Sequence, residues 1–261
     1  MKTKNKILEV FKVFQDKESF FDDISKQQSS KLIINQIIII CLFAFLYGVA
    51  MGCYHSFLQS IVAGLKVVIL FLSTIVICFP SFFIVQLILG SKMKFRQMIV
   101  IILSGIVLTS TIALSFAPVV IFFLITGNNY YFLQLLHVAI FIFAGIFGIK
   151  LIIESLKYAC EKKDIYPQTG VTVFRIWAVI LALVEIQLAW NLRPFLSDRN
   201  EEFKLFRKYK GNFYTAVIYS VEQLMKKENK ENINTEKIIQ PADTLNHEIK
   251  DSIDILKLIE K

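Results

Sequence analysis

The sequence predicts an all-α fold: a polytopic membrane helix bundle of about five transmembrane helices with amphipathic terminal helices. Two observations carry this. Of the 261 residues, 55% are apolar and 19% are charged, against roughly 45–50% and about 25% in an ordinary soluble domain. The charge is also segregated, since residues 32–195 are 164 of the 261 positions but hold only 14 of the 50 Asp, Glu, Lys and Arg. Together these exclude a soluble enzyme, a disordered chain and a small disulfide scaffold. Three segments follow: an N-terminal stretch 1–31, a membrane bundle 32–195 and a polar tail 196–261.

In the N-terminal stretch, Ile7, Val10, Phe11 and Phe14 recur at helical spacing, followed by Phe20, Phe21 and Ile24, with charged residues between. This pattern reads as one or two amphipathic helices, lying on the inner leaflet or packed on protein. It also predicts no cleavable signal peptide, because 31 polar-rich residues precede the first apolar run and no small-residue cleavage site follows it.

A bilayer core of about 30 Å needs roughly 20 consecutive apolar residues at ~1.5 Å each. The runs 32–53 and 67–90 meet this without a charge. From Gln97 to Ile149 there are 53 residues without Asp, Glu, Lys or Arg. That length suits two spans, 98–125 and 131–153, joined by the turn at Gly127-Asn128-Asn129. The fifth span, 173–192, is weaker because it holds Arg175, Glu185 and Gln187. Pro80 and Pro118 each remove a helical hydrogen bond. Each reads as a kink, or as a helix end followed by a short piece such as Val119–Ile125. Trp177 and Trp190, about 20 Å apart along a helix, suit one ring at each membrane interface.

Lys and Arg in the short loops set the orientation. Lys92, Lys94 and Arg96 follow the second span, and Lys157, Lys162 and Lys163 follow the fourth, whereas the loop 54–66 has Lys66 alone. The N-terminus is therefore expected to be cytoplasmic. Five spans place the tail outside despite six basic residues between Arg193 and Lys210. The tail has 12 basic and 12 acidic residues, so it is no nucleic-acid arm. An aromatic stripe (Phe203, Phe206, Tyr209), a helical face (Phe213, Val217, Val221, Leu224) and a last amphipathic segment 247–261 suit docking or self-association.

Within the spans, Glu185 stands out, because an ionisable group in hydrocarbon is a functional candidate by default. Its depth matches that of His137, and Gln187, Gln134 and Thr109 complete a candidate polar patch. The competing reading is interhelical hydrogen bonding. Ala44, Gly48 and Gly52, then Ala144 and Gly148, form small-residue faces for close helix packing. Cys41, Cys53, Cys78 and Cys160 have no paired spacing, so no disulfide is expected. No HExxH, GxSxG, P-loop or GxGxxG motif is present, and no catalytic residue, metal site or cofactor is expected.

The block Gln187-Leu-Ala-Trp190-Asn-Leu-Arg193-Pro194-Phe195, then Phe203-x-Leu-Phe-Arg207 and Asn212-Phe-Tyr214, resembles a family of uncharacterised bacterial multi-spanning membrane proteins. The segments around 47–59 and 115–141 resemble other blocks of that family. The layout is more loosely similar to Yip1-type five-span proteins. The resemblance implies a multi-pass protein of the bacterial inner membrane and no activity. Arg193, Pro194, Phe195 and Arg207 become candidate headgroup or docking contacts. The expected function is a non-enzymatic scaffold or accessory subunit whose partners are the lipid bilayer and a membrane protein or a second copy. The alternative is a small transporter or a proton or ion channel using the Glu185–His137 patch.

Overall fold

The computed structural model describes residue 20 and residues 29–53, 56–126, 129–196 and 212–226. Among these the regular structure is helical throughout. Six helices build the membrane unit: α1 (Ser29–Gly52), α2 (Phe57–Ile88), α3 (Phe95–Ser115), α4 (Ala117–Thr126), α5 (Tyr130–Glu161) and α6 (Gln168–Leu192). Five helices are long and apolar enough to cross a membrane, with α3 and α4 together forming one of them. The polytopic bundle expected from composition is the observed architecture.

The spans differ from their sequence limits where a polar residue is accommodated inside a helix. At 32 residues, α2 and α5 are each about 48 Å long, more than a ~30 Å core, and so tilt or project beyond it. α2 begins at Phe57, capped by the Ser56 side chain, which accepts from the Gln59 amide. It therefore takes in Lys66, which the sequence reading left in a loop. α2 also runs unbroken through Pro80, with Ser81 Oγ donating to the Cys78 carbonyl at 2.8 Å. Pro118 instead sits in the first turn of α4, where a helix N–H has no partner to lose. The third span is thus interrupted at Phe116 and resumes at once.

Packing follows chain order. α1 lies on α2 and α3, α3 on α5, and α6 on α2 and more lightly on α5. Gln86 near the end of α2 bonds Gly170 at the start of α6, while Gln59 at the start of α2 bonds the chain just after α6. α2 and α6 therefore run antiparallel over their full lengths. At the Gln86 end the two connecting loops join, Lys92 N–H donating to the Ile165 carbonyl at 3.0 Å. Gly90 makes this turn with φ +85°, a left-handed conformation that suits glycine.

Small residues set the seams. A Cβ on Gly48 would lie 2.7 Å from Gly64 Cα, and one on Gly52 would lie 2.5 Å from Ser60 Cα, so α1 and α2 touch backbone to backbone. A Cβ on Gly148 would lie 2.7 Å from the Gly105 carbonyl oxygen and collide with Thr109 Oγ1, which closes α3 on α5. Ala44 and Ala144 are buried in the same seams. Outside, Ile34, Ile38, Leu42 and Leu46 are exposed along one stripe of α1, the face that hydrocarbon would cover.

The chain divides into two compact units, 1–213 and 214–261. A helix, α7, covers 213–226, in accord with the periodicity of Phe213, Val217, Val221 and Leu224. In its second-unit part Lys226 Nζ pairs with Glu222 Oε1 at 2.6 Å, and this hydrogen bond raises the Lys226 ammonium above its ordinary range. The other terminal readings (the N-terminal amphipathic stretch apart from Phe20, the 203–209 stripe, Arg207 and 247–261) lie outside the described residues.

Candidate functional site

The intramembrane polar side chains are distributed over several helix seams. Between α1 and α3, Gln36 Nε2 donates to Ser104 Oγ at 2.7 Å and to the Val100 carbonyl at 3.2 Å. Between α1 and α5, the Tyr47 hydroxyl and His137 Nδ1 are 2.9 Å apart. With the imidazole proton on Nε2, Tyr47 O–H donates to Nδ1. Phe141 stands edge-on to Tyr47 at 5.4 Å, and both polar rings are buried. Between α3 and α5, Thr109 Oγ1 donates to the Gly105 carbonyl at 3.0 Å and reaches the Ala144 carbonyl at 3.5 Å.

The α2–α6 seam is polar at both ends. At one, Gln86 Nε2 donates to the Gly170 carbonyl at 3.4 Å. A Cβ on Gly170 would lie 2.6 Å from Gln86 Oε1, so this bond depends on glycine. At the other, Lys66 Nζ donates to the Pro194 carbonyl at 3.0 Å, and Gln59 Nε2 donates to the Pro194 and Phe195 carbonyls at 3.3 and 3.4 Å. Lys66 is nine residues into α2, about 14 Å by helical rise, yet only 4% exposed. Its long stem runs along apolar surface while the ammonium meets a carbonyl. Pro194 and Leu196 are buried, so the chain leaving α6 folds back against α2. The Arg193 guanidinium lies 3.4 Å over the Trp190 ring, a cation–π contact worth about 0.5–2 kcal/mol.

Glu185, His137, Thr109, Gln134 and Gln187 do not form one patch. His137 is bonded to Tyr47, and its Nε2 has no partner among the described residues. Thr109 belongs to the α3–α5 glycine contact. Gln134 is half-buried and Gln187 exposed. Glu185 is half-buried, within electrostatic reach of Cys78 on α2. Matching depth along two helices did not reveal which face each side chain occupied. Of the predicted contacts, the Pro194 and Phe195 carbonyls accept from Lys66 and Gln59 of α2, whereas Arg193 lies over the Trp190 ring. Trp177 is 4.6 Å from Phe82 and 5.4 Å from Phe174, packed inside the protein.

Sequence reasoning missed Tyr47, Lys66, Gln59, Gln36 and Gln86. Each is a lone polar residue at the edge of, or within, an apolar run, and that isolation was the available signal. The pairs do not join into a continuous chain. Ser104 and Thr109 are five residues apart, about 7.5 Å, and His137 and Ala144 seven, about 10 Å by rise, both longer than a hydrogen bond. Such pairs can tie helices together, at about 0.6 kcal/mol each on average in a membrane.

Beyond the spans, Tyr166 is buried between α5 and α6, and its hydroxyl has no partner among the described residues. Burial, then the nearby Cys160 thiol, pushes its phenol above the ordinary range. No group of three or more His, Cys, Asp and Glu among the described residues is placed to hold a metal ion. No protein-family model, curated protein or solved structure matches the chain.

Proposed function

We propose that this multi-pass protein is a non-enzymatic scaffold or accessory subunit of a membrane complex, seated in a bacterial inner membrane and related to the family that shares the 187–195 block. One observation carries the reading. The hydrogen bonds of the intramembrane polar side chains tie separate helix seams and do not join into one continuous polar path. Cytoplasmic placement of the N-terminal side is supported by Lys92, Lys94, Lys162 and Lys163, which gather in the joined loops at one end of the bundle.

The test is reciprocal affinity purification of the full chain from native membranes, with mass spectrometry of what co-purifies in fixed ratio. A stoichiometric complex recovered from either partner supports the proposal. Isolation as a lone oligomer that conducts ions or protons in liposomes overturns it in favour of a channel. His137 Nε2, which has no partner among the described residues, and the intramembrane Glu185 favour that second reading.

A further inference from the structure

Beyond the spans, α7 turns an apolar stripe outward. Its covered side runs through Ala216, Val217, Ser220, Gln223 and Leu224, with Ser220 buried and the other four half-buried. Tyr214, Ile218, Val221 and Met225 are instead 48%, 67%, 40% and 54% exposed. Their spacings of four, three and four residues place them within roughly 60° of arc at ~100° per residue, so they line one edge of the helix. The rest of the exposed side is Glu222, Thr215, Lys226 and Tyr219, where Glu222 and Lys226 pair across one turn. The exposed half of α7 is therefore itself divided, apolar along one edge and polar along the other.

A single exposed apolar residue needs no explanation, but a line of four large ones marks a contact surface. Three observations select what covers it. The tail is neutral overall, yet residues 204–227 hold six basic residues and one acidic, Glu222. That local excess complements an anionic lipid surface. The stripe also lacks glycine and alanine, whereas the close helix contacts of the bundle are built on Gly48, Gly64, Gly105 and Gly148. Large side chains with a tyrosine among them suit the boundary between headgroups and acyl chains better than a tight helix seam. Finally, a bilayer is at hand. α6 is one of the five helices long and apolar enough to cross a membrane, and the 17 residues from Leu196 to Phe213 extend at most about 60 Å. This tether holds α7 at a high effective lipid concentration. At 14 residues, about 21 Å, α7 is too short to cross a ~30 Å core and long enough to lie on it.

We propose that α7 is an interfacial helix seated on an anionic bilayer surface, with Tyr214, Ile218, Val221 and Met225 among the upper acyl chains and the neighbouring lysines on lipid phosphates. The contact is with lipid and needs no protein partner, so it goes beyond the accessory-subunit reading and stands or falls separately from it.

The test uses the full chain with its four cysteines replaced by alanine and an environment-sensitive fluorophore on Ile218→Cys, or on Tyr219→Cys at the polar edge. Nanodiscs of phosphatidylcholine with about one-third phosphatidylglycerol leave both membrane faces open to solutes. Nitroxide lipids labelled high on the acyl chain should quench the 218 probe at least threefold more than the 219 probe, and aqueous iodide at least threefold less. Val221→Asp should abolish lipid quenching at 218 while Val221→Leu keeps it, with circular dichroism confirming that both variants fold. Nanodiscs of phosphatidylcholine alone should cut the quenching at least twofold. Equal iodide access at 218 and 219 overturns the proposal. So does a 218 probe shielded from iodide but not reached by nitroxide lipid, the signature of a protein occupant such as the chain's own tail, a second copy or a partner. Undiminished lipid quenching without phosphatidylglycerol overturns the role of anionic headgroups.

Discussion

Gly145 and Gly148 lie three residues apart on α5, and an alanine at each separates helix propensity from helix contact. At Gly145 nothing lies within 4 Å of an added Cβ, so Gly145→Ala gains only propensity, up to ~1 kcal/mol. At Gly148 the same methyl meets Thr109 Oγ1 and comes within 2.7 Å of the Gly105 carbonyl oxygen. The hydroxyl can rotate away, but the carbonyl is fixed in the hydrogen-bond ladder of α3, so the two helices must move apart. Overpacking of this kind costs about 1–3 kcal/mol. Because both substitutions gain the same propensity, Gly148→Ala should be less stable than Gly145→Ala by about 1–3 kcal/mol, roughly fivefold to 160-fold in the unfolding constant. Reversible unfolding in mixed micelles with rising SDS, followed by circular dichroism, measures this directly. Adding Thr109→Ala to Gly148→Ala should recover only a small part, because the carbonyl contact remains. Equal midpoints for the two glycine variants would show that α3 and α5 do not touch backbone to backbone.

Three further outcomes are expected. Tyr47→Phe leaves His137 without its partner, and a double-mutant cycle with His137→Phe should give a coupling of about 0.5–2 kcal/mol; zero coupling in SDS unfolding removes the pair as an α1–α5 tie. With Cys41 and Cys78 replaced by alanine, a membrane-impermeant maleimide on sealed vesicles should label only one of Cys53 and Cys160, and the other after permeabilisation, because the ends of α1 and α5 lie at opposite ends of the bundle. Labelling of both from one side refutes the five-crossing arrangement. Tyr166→Phe deletes a buried hydroxyl that has no partner among the described residues and should be neutral or stabilising by up to about 1 kcal/mol at pH 7. The raised phenol of the folded chain means that the unfolded chain loses its proton first, above the ordinary value of 10.0. Stability should then fall as pH rises past that value, and Tyr166→Phe should flatten this loss in unfolding measured from pH 8 to 11.

Much of the bundle is legible in the sequence because the bilayer imposes a length and a polarity that can be counted. The charge-free stretch around Gly127 to Asn129 could only be two crossings, and Gly48, Gly52 and Gly148 announced close seams by spacing alone. The limits failed where a polar group found an internal partner. Lys66 reads as a loop residue ahead of the second span, yet it lies inside α2 with its ammonium on the Pro194 carbonyl, and Pro118 sits in the first turn of α4 rather than within one unbroken helix.

What the sequence by itself determined was the number of helices long and apolar enough to cross a membrane, the basic residues in the loops after the second and fourth of them, and the presence of a carboxyl and an imidazole within the spans. Only the tertiary structure decided which seam each polar group serves. Depth along a helix follows from residue number, but the facing partner depends on helix rotation and neighbour order, which many side chains set together. Thus His137 turned to Tyr47, Thr109 to the Gly105–Gly148 contact, and Glu185 to the neighbourhood of Cys78 on α2.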